Sequence, residues 1–475
     1  MRKVVTGFVH ENGQQMFIDV GGGGAEDESN CAGVQAAPTA NCVQPGRSAP
    51  SDVLYTCPMT TSQFQLRCVG EQEFVPWARM IADTYGMDRS EEELADQRAA
   101  TDLARTLAVF DEGEPVGGAS VYSRMLTVPG GVLPVAGIAS VGVAPTHRRR
   151  GILTSMMRAQ LTDLHEQRRE AIAALRPSEA GIYGRYGYGP ATVGNRMRCD
   201  RPAMGFRPDT DFGDGTVRLQ HADQARPLLE EIYDRVRTTT VGWPDRRTAH
   251  WAVRLADHPH RRGGATSLRF AVHQDHGGRA TGYALYRHGS APDGSGGSAG
   301  VVEVVELAAC SRQAYAALWR FLAGIDLVSR IDYEGSVDEP LPHLLVEPRA
   351  VQAAPVDRLW LRLADVDRAL AGRSYSLPLD LVLDVWDDFC PWNSGRHRLQ
   401  AEAGNAVCEP TTAPADLRLR AAELGAVFLG GTSLTALAAA GLVEELRGGA
   451  LSRASAAFRG EREPWYPGGW AFPLY

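Results

Sequence analysis

An α/β (α+β) architecture of three units in tandem is the fold class that the sequence predicts, and three observations lead to it. Strand-like runs alternate with helical apolar spacing from about residue 61 onward. The order short strand, helix, hairpin, long strand, helix occurs twice, once before and once after residue 205. At 475 residues the chain exceeds what one hydrophobic core usually serves.

Composition narrows the function. With 44% hydrophobic and 22% charged residues and a net charge of -8, the chain reads as an ordinary soluble protein. An acidic balance argues against a general nucleic-acid binder and suits a cationic substrate. No run reaches the roughly 20 apolar residues of a membrane span. The start, "MRKVVTGFVHENGQQ", breaks its apolar run too early for a signal peptide, so the expected location is cytoplasmic, with no membrane partner. The eight cysteines are scattered without a C-x-x-C pair, and read as reduced thiols with no metal role.

Taken in order, residues 1–60 carry Gly21 to Gly24 and a small-residue, polar stretch, and are expected to be a flexible extension. The first unit, 61–205, opens with a short strand. A helix follows with Phe74, Trp77, Ile81 and Tyr85 at helical spacing, then strands split by a turn at Asp111 to Pro115. A helix from about Arg150 to Gln167, the strand "EAIAALR" and the turn-rich "GIYGRYGYGPAT" complete it. The second unit, 206–353, repeats that order around "LRFAVHQDHGGRATGYALYRH" and the helix "RQAYAALWRFLAGI". The third, 354–475, begins "DRLWLRLADVDRAL" and closes on the aromatic "PWYPGGWAFPLY".

One corner carries chemistry. "VGVAPTHRRRGIL" joins a long apolar strand to a helix through Pro145, four basic residues and Gly151. A helix N-terminus offers unpaired N–H groups and about half a positive charge, so it holds anions readily. Arg148, Arg149 and Arg150 oppose the macrodipole at that end, and an anion such as a pyrophosphate compensates. Neither a Walker loop nor a G-x-G-x-x-G pattern is present.

The stretch resembles the coenzyme A site of the GNAT superfamily of N-acetyltransferases, Arg/Gln-x-x-Gly-x-Gly/Ala, through Arg148 and Gly151. Leu153 stands where the superfamily has a small residue. With "SEAGIYGRYGYGPAT", "GYALYR", "LPHLL" and the aromatic C-terminus, residues 62–475 resemble the Eis (enhanced intracellular survival) family. That resemblance implies tandem GNAT-like domains, 61–205 catalytic and 206–353 degenerate, then a sterol-carrier-protein-like α/β domain at 354–475. It implies acetyl-CoA as cosubstrate, no metal, and a homo-oligomer, a hexamer in the family.

Acetyl transfer from a thioester needs a neutral amine, an acid for the leaving thiolate and donors for an oxyanion. Tyr183, Tyr186 and Tyr188 are candidate acids by type. The resemblance selects Tyr183, and makes the C-terminal carboxylate of Tyr475 the base. It also assigns Val141, Gly142 and Val143 to the pantetheine arm and Arg148, Arg149, Arg150, Gly151, Ile152, Leu153 and Thr154 to the phosphates. Ser178 and Glu179 match positions near the coenzyme, whereas Arg176 and Pro177 depart from the family pattern. The acceptor expected is a primary amine of an aminoglycoside-like cationic small molecule, or lysine. A biosynthetic acyltransferase with one dedicated amine, and a lipid-binding protein with a vestigial acetyltransferase core, are the alternatives.

Overall fold

The computed structural model describes residues 64–292, 298–402 and 404–469. The extension at 1–60 with Cys31, Cys42 and Cys57, and the expected base Tyr475, lie outside the described residues.

The first layer system is built from β1 (Gln65–Cys68), α1 (Phe74–Thr84), α2 (Glu91–Ala100), β2 (Thr106–Asp111), β3 (Glu114–Val128), β4 (Gly131–Val143), α3 (Ile152–Glu166), β5 (Ile172–Leu175), the short α4 (Ala180–Tyr183) and β6 (Gly189–Pro190). Sequence spacing explains the helices. Phe74, Trp77, Ala78 and Ile81 put one apolar stripe of α1 into the core. α2 starts at Ser90, whose hydroxyl accepts the Glu93 N–H while Glu93 accepts the Ser90 N–H. The hairpin β2–β3 turns on Glu112 and Gly113, at φ 51° and 89°. Met156, Met157, Leu161 and Leu164 of α3 pack on Val109, Ala119, Val121 and Ile138 from one side of the sheet. α1 covers the other side, with Trp77 and Phe74 against Ala108 and Phe110.

The second system holds β7 (Val193–Asp200), β8 (Thr216–Gln220), α5 (Ala222–Arg237), α6 (Thr248–Leu255), β9 (Arg269–Gln274), β10 (Ala280–Pro292), β11 (Ser298–Ala309), α7 (Arg312–Ala323), β12 (Val328–Ser336), α8 (Leu341–Leu344) and β13 (Val351–Asp357). The third comprises β14 (Trp360–Leu363), α9 (Val366–Ala371), β15 (Leu379–Trp386), β16 (Gly395–Glu402), β17 (Asn405–Pro410), β18 (Leu417–Arg420), α10 (Ala421–Val427), α11 (Leu434–Ala439), β19 (Val443–Glu445) and α12 (Ala450–Phe458).

Three mixed sheets result, in the orders β1-β2-β3-β4-β5-β14-β6, β13-β7-β12-β11-β10-β9-β8 and β17-β16-β15-β18-β19. Two strands change sheets relative to their chain neighbours. After β6 the chain leaves the first sheet and β7 enters the second, between β12 and β13. After β13 it returns, and β14 fills the place between β5 and β6, with Trp360 opposite Leu175 and Pro190. The first sheet is thus finished by residues some 170 positions downstream of β6.

A second graft covers the edge of β3 beyond its pairing with β2. The Gly242 N–H donates to Thr127 O and Asp245 N–H to Met125 O, both at 2.8 Å, and Thr127 N–H to Trp243 O at 3.0 Å. The buried Arg124 guanidinium holds Asp245 at 2.9 Å.

Candidate active site

β4 and β5 run parallel for only three pairs, Val135 to Gly137 against Ile172 to Ala174, and then part. The cause lies on the other edge of β4. Between Gly118 and Ser120 of β3 the register slips, so that Gly142 pairs with Gly118 but Ala139 with Ser120. The surplus residue is taken up where Ser140 sits at φ 51°. Beyond Gly137, residues Ile138 to Val143 of β4 have no ladder partner on the β5 side, and the strands diverge as a wedge. The Tyr85 hydroxyl, just past α1, donates to the Val141 carbonyl there at 2.7 Å.

At the mouth stands the basic corner. Pro145–His147 forms one 3-10 turn, and His147 is held by Asp111 at 3.0 Å. Arg149 and Gly151 adopt φ 62° and 80°, which turns the chain sharply into α3. Gly151 is the N-cap and provides no side-chain acceptor. The first intrahelical bond is Ser155 N–H to Gly151 O, so the N–H groups of Ile152, Leu153 and Thr154 have no helical acceptor. Arg148, Arg149 and Arg150 are exposed around them, with Arg150 over the Phe64 ring at 4.5 Å. An uncapped helix start ringed by three guanidiniums fits the phosphates of a coenzyme. The Ile152 side chain points into the core instead, where it leaves no room for a Cβ on Gly117.

The aromatic turn forms the far wall. Tyr183 ends α4, Tyr186 ends the next 3-10 turn, and Gly187 at φ 81° reverses the chain. All three tyrosines are buried. Tyr186 meets the Thr154 hydroxyl at 3.2 Å and packs on Phe389, while Tyr188 stacks edge-on against Tyr183. Burial, and next the neighbouring Tyr85, push the Tyr183 phenol well above its ordinary range. Tyr85 is pushed up to about 12, again chiefly by burial. The exposed Glu179 carboxylate adds to the rise at Tyr85.

Residues 65–191 and 242–363 each match a family model described as an acetyltransferase (GNAT) domain, and 366–467 match a sterol carrier protein domain. An uncharacterized N-acetyltransferase of Streptomyces coelicolor is 40% identical over 414 residues, 85% of this chain and 98% of the relative. The N-acetyltransferase Eis of Mycobacterium tuberculosis is 37% identical over 358 residues, 73% of this chain and 84% of its own length. The crystal structure of Eis1 from Mycobacterium abscessus superposes with a TM-score of 0.74 at 33% identity, covering 85% of this chain and 99% of that one.

The chain belongs to the Eis family of GNAT N-acetyltransferases.

Within this Eis-family acetyltransferase the second GNAT unit gives an internal contrast. The start of α7 is capped by Ser311, which accepts the Ala314 N–H at 3.1 Å. Asp211 sits at the same end, 2.9 Å from the Gln313 amide and 3.5 Å from Arg312. A capped helix with a carboxylate in front of it repels what the α3 corner attracts.

The sequence points to the corner, to Val141–Val143 and to the aromatic turn, and misses the bulge at Ser140 and two supports. By spacing Tyr85 belongs to an apolar helical stripe, yet its hydroxyl reaches β4. Arg362 of β14, fully buried, donates to the Tyr186 carbonyl and to Asp387 at 2.6 Å, and so braces the aromatic turn from the third system. A Cβ on Gly187 would collide with that guanidinium. An arginine inside an apolar strand, "LWLRL", is the one signal that could have pointed to it.

Among the described residues no cluster of His, Cys, Asp and Glu could hold a metal ion, and no helix is long and apolar enough to cross a membrane.

Proposed function

We propose that this Eis-family enzyme acetylates a primary amine of a cationic small molecule of the aminoglycoside type, or of lysine, with acetyl-CoA as donor. The observation that carries the reading is the convergence of the uncapped, arginine-ringed start of α3 with the bulged edge of β4 and the phenols of Tyr85 and Tyr183. Bound acetyl-CoA supplies an activated acetyl thioester. Arg148, Arg149, Arg150 and the N–H groups at Gly151 to Thr154 bind its phosphates. Val141, Gly142 and Val143 offer backbone groups to the pantetheine arm, and Ser178 and Glu179 line the approach.

Tyr183 serves as proton holder for the departing sulfur. Its raised pKa keeps the phenol protonated at neutral pH. A thiol titrates near 8.5, so full transfer from this phenol runs uphill and the hydrogen bond to the thiolate does the stabilising. The Tyr475 carboxylate takes the amine proton in the same proposal. The described segment before it is anchored: Trp465 is buried against Gly194, and Gly468 O lies 3.4 Å from the Arg246 guanidinium. The net charge of -8 favours cationic acceptors. A homo-oligomer, hexameric in the family, and a cytoplasmic location complete the proposal.

Thiol release from acetyl-CoA with a panel of amines tests it. Turnover with polyamines or aminoglycosides supports the reading, as does its loss when residues are added after Tyr475 with coenzyme binding unchanged. Release with no amine of the panel overturns the acceptor class.

A further inference from the structure

The second GNAT unit repeats the strand split of the first, and a segment near the chain's own C-terminus fills it. β11 leads through α7 to the parallel β12, as β4 leads through α3 to β5. β11 and β12 pair from Gly300 to Val304 against Val328 to Tyr333 and then part. Past that rung Val305 to Ala309 lie on one side, and Glu334 to Ser336, paired with β7, on the other.

Residues 462–469 cross this wedge. On the β12 side Asp338 accepts the Arg462 guanidinium at 2.9 Å and the Glu463 N–H at 3.2 Å. In the middle the buried Trp465 ring lies against Gly194 of β7, where a Cβ would collide with it and crowd the Gly335 carbonyl. The same indole belongs to the core that holds Tyr283, Leu285 and Ala308. On the β11 side Arg246 and Arg254 share the buried Glu306 carboxylate, and Arg246 donates to Gly468 O at 3.4 Å. Arg254 also donates to Val305 O at 3.0 Å, which satisfies the first carbonyl past the last rung. The wedge assigned to the pantetheine arm in the first unit is thus closed by protein in the second. The capped start of α7 with Asp211 in front of it completes the change, since that end repels a coenzyme's phosphates.

The tail also has a direction. The Trp465 N–H donates to Val241 O at 2.9 Å, and Gly468 meets Arg246, so the tail advances alongside residues 241–246. That stretch itself advances along β3, from Gly242 at Thr127 through Asp245 at Met125 to Arg247 at Ser123. Tyr122, the next residue of β3, pairs with Gly137, and Gly137 with Ala174 is the last rung before β4 and β5 part. Six residues can span about 20 Å when extended. Two strand spacings, about 10 Å, separate β3 from β5.

We propose that the second GNAT unit is a clamp for the C-terminal segment, with Trp465 as its positioning residue, and that it aims the Tyr475 carboxylate at the acetyl-transfer cleft. This rests on the base assigned to Tyr475 above. A wedge that once suited a cosubstrate then serves the first unit's reaction by holding a piece of the same chain.

The test compares wild type with W465A and W465F, each with and without three glycines added after Tyr475, on the best-used amine among hexane-1,6-diamine, neamine and Nα-acetyl-lysine. W465A should lower kcat tenfold or more while the Kd for acetyl-CoA moves less than twofold, and W465F should stay within threefold of wild type. The added glycines should lower the kcat of wild type tenfold or more, yet cost W465A less than threefold further, because both changes displace the same carboxylate. Unchanged kcat in W465A, or losses that multiply, overturns the clamp. Added glycines that leave wild type fully active overturn the Tyr475 base, and the aim of the clamp with it. Because loss of a buried indole loosens packing, the exposed Arg462 gives a milder arm. R462D sets two like charges against each other at Asp338 and should lower kcat threefold or more at an unchanged melting temperature, whereas R462K should match wild type. Carboxypeptidase Y should release Tyr475 at least tenfold faster from W465A than from wild type, and equal release overturns the clamp.

Discussion

The Tyr85 hydroxyl donates to the Val141 carbonyl oxygen at 2.7 Å, so a side chain from the end of α1 occupies an acceptor on the cleft edge of β4. A second phenol, Tyr183, stands near enough for Tyr85 to add to its rise. They differ in that Tyr85 has a backbone partner to hold its proton.

That difference separates their roles by mutation. Tyr183→Phe should lower kcat by about 10²-fold, the usual scale of proton-donor catalysis, without lowering the melting temperature. Tyr85→Phe should lower kcat less than tenfold. Steady-state thiol release with saturating amine decides it, and the reverse order would move the donor to Tyr85.

The corner makes an electrostatic prediction. Arg149→Glu with Arg150→Glu reverses two exposed charges at an uncapped helix start. The KM for acetyl-CoA should rise at least tenfold, with the amine KM little changed. Calorimetric titration with coenzyme A checks the binding step alone, and unchanged affinity would sink the assignment.

Arg362 ties the aromatic turn to the third system, and its loss should be costly. Arg362→Met leaves the buried Asp387 carboxylate without its cation and the Tyr186 carbonyl without its donor. Breaking a buried pair from one side costs about 3–5 kcal/mol. Denaturant unfolding should show a loss of that order, and Asp387→Asn added to it should restore part.

Glu339 predicts a pH dependence of stability. Its carboxyl is buried at the end of β12, bonded to the Tyr315 hydroxyl, and burial raises it to about 7. Because the folded pKa lies above the unfolded one near 4.5, the folded state binds the extra proton between the two values. Stability from this group is greatest below pH 4.5 and falls as pH rises towards 7. Glu339→Gln should therefore stabilise the protein by roughly 1–3 kcal/mol at pH 8 and by little at pH 5. Melting curves at the two pH values suffice, and an equal shift at both would refute the cause.

The legible parts of this protein were those whose evidence is local. Pro145, the arginines and Gly151 are contiguous, so strand end, anion corner and helix start could be read from one stretch. The apolar spacing of α1 and α3 is equally local. The destination of a strand is not. Nothing local to Val193–Asp200 or Trp360–Leu363 says which sheet they join, because alternation records burial and not partner. The bulge at Ser140 was hidden too, since a non-glycine residue at φ 51° leaves no compositional mark.

The return of β14 to the first sheet sets a timetable for biosynthesis. When residue 190 leaves the ribosome, β5 still presents an unpaired edge, and β6 has nothing to lie against until Trp360–Leu363 emerge. At about 5–20 residues per second that wait lasts roughly 10–35 seconds. For that interval the nascent acetyltransferase sheet is a half-open template for stray strands. Its maturation is thus a matter for the whole translated chain, and translation speed or a holding chaperone over those 170 codons becomes a determinant of yield.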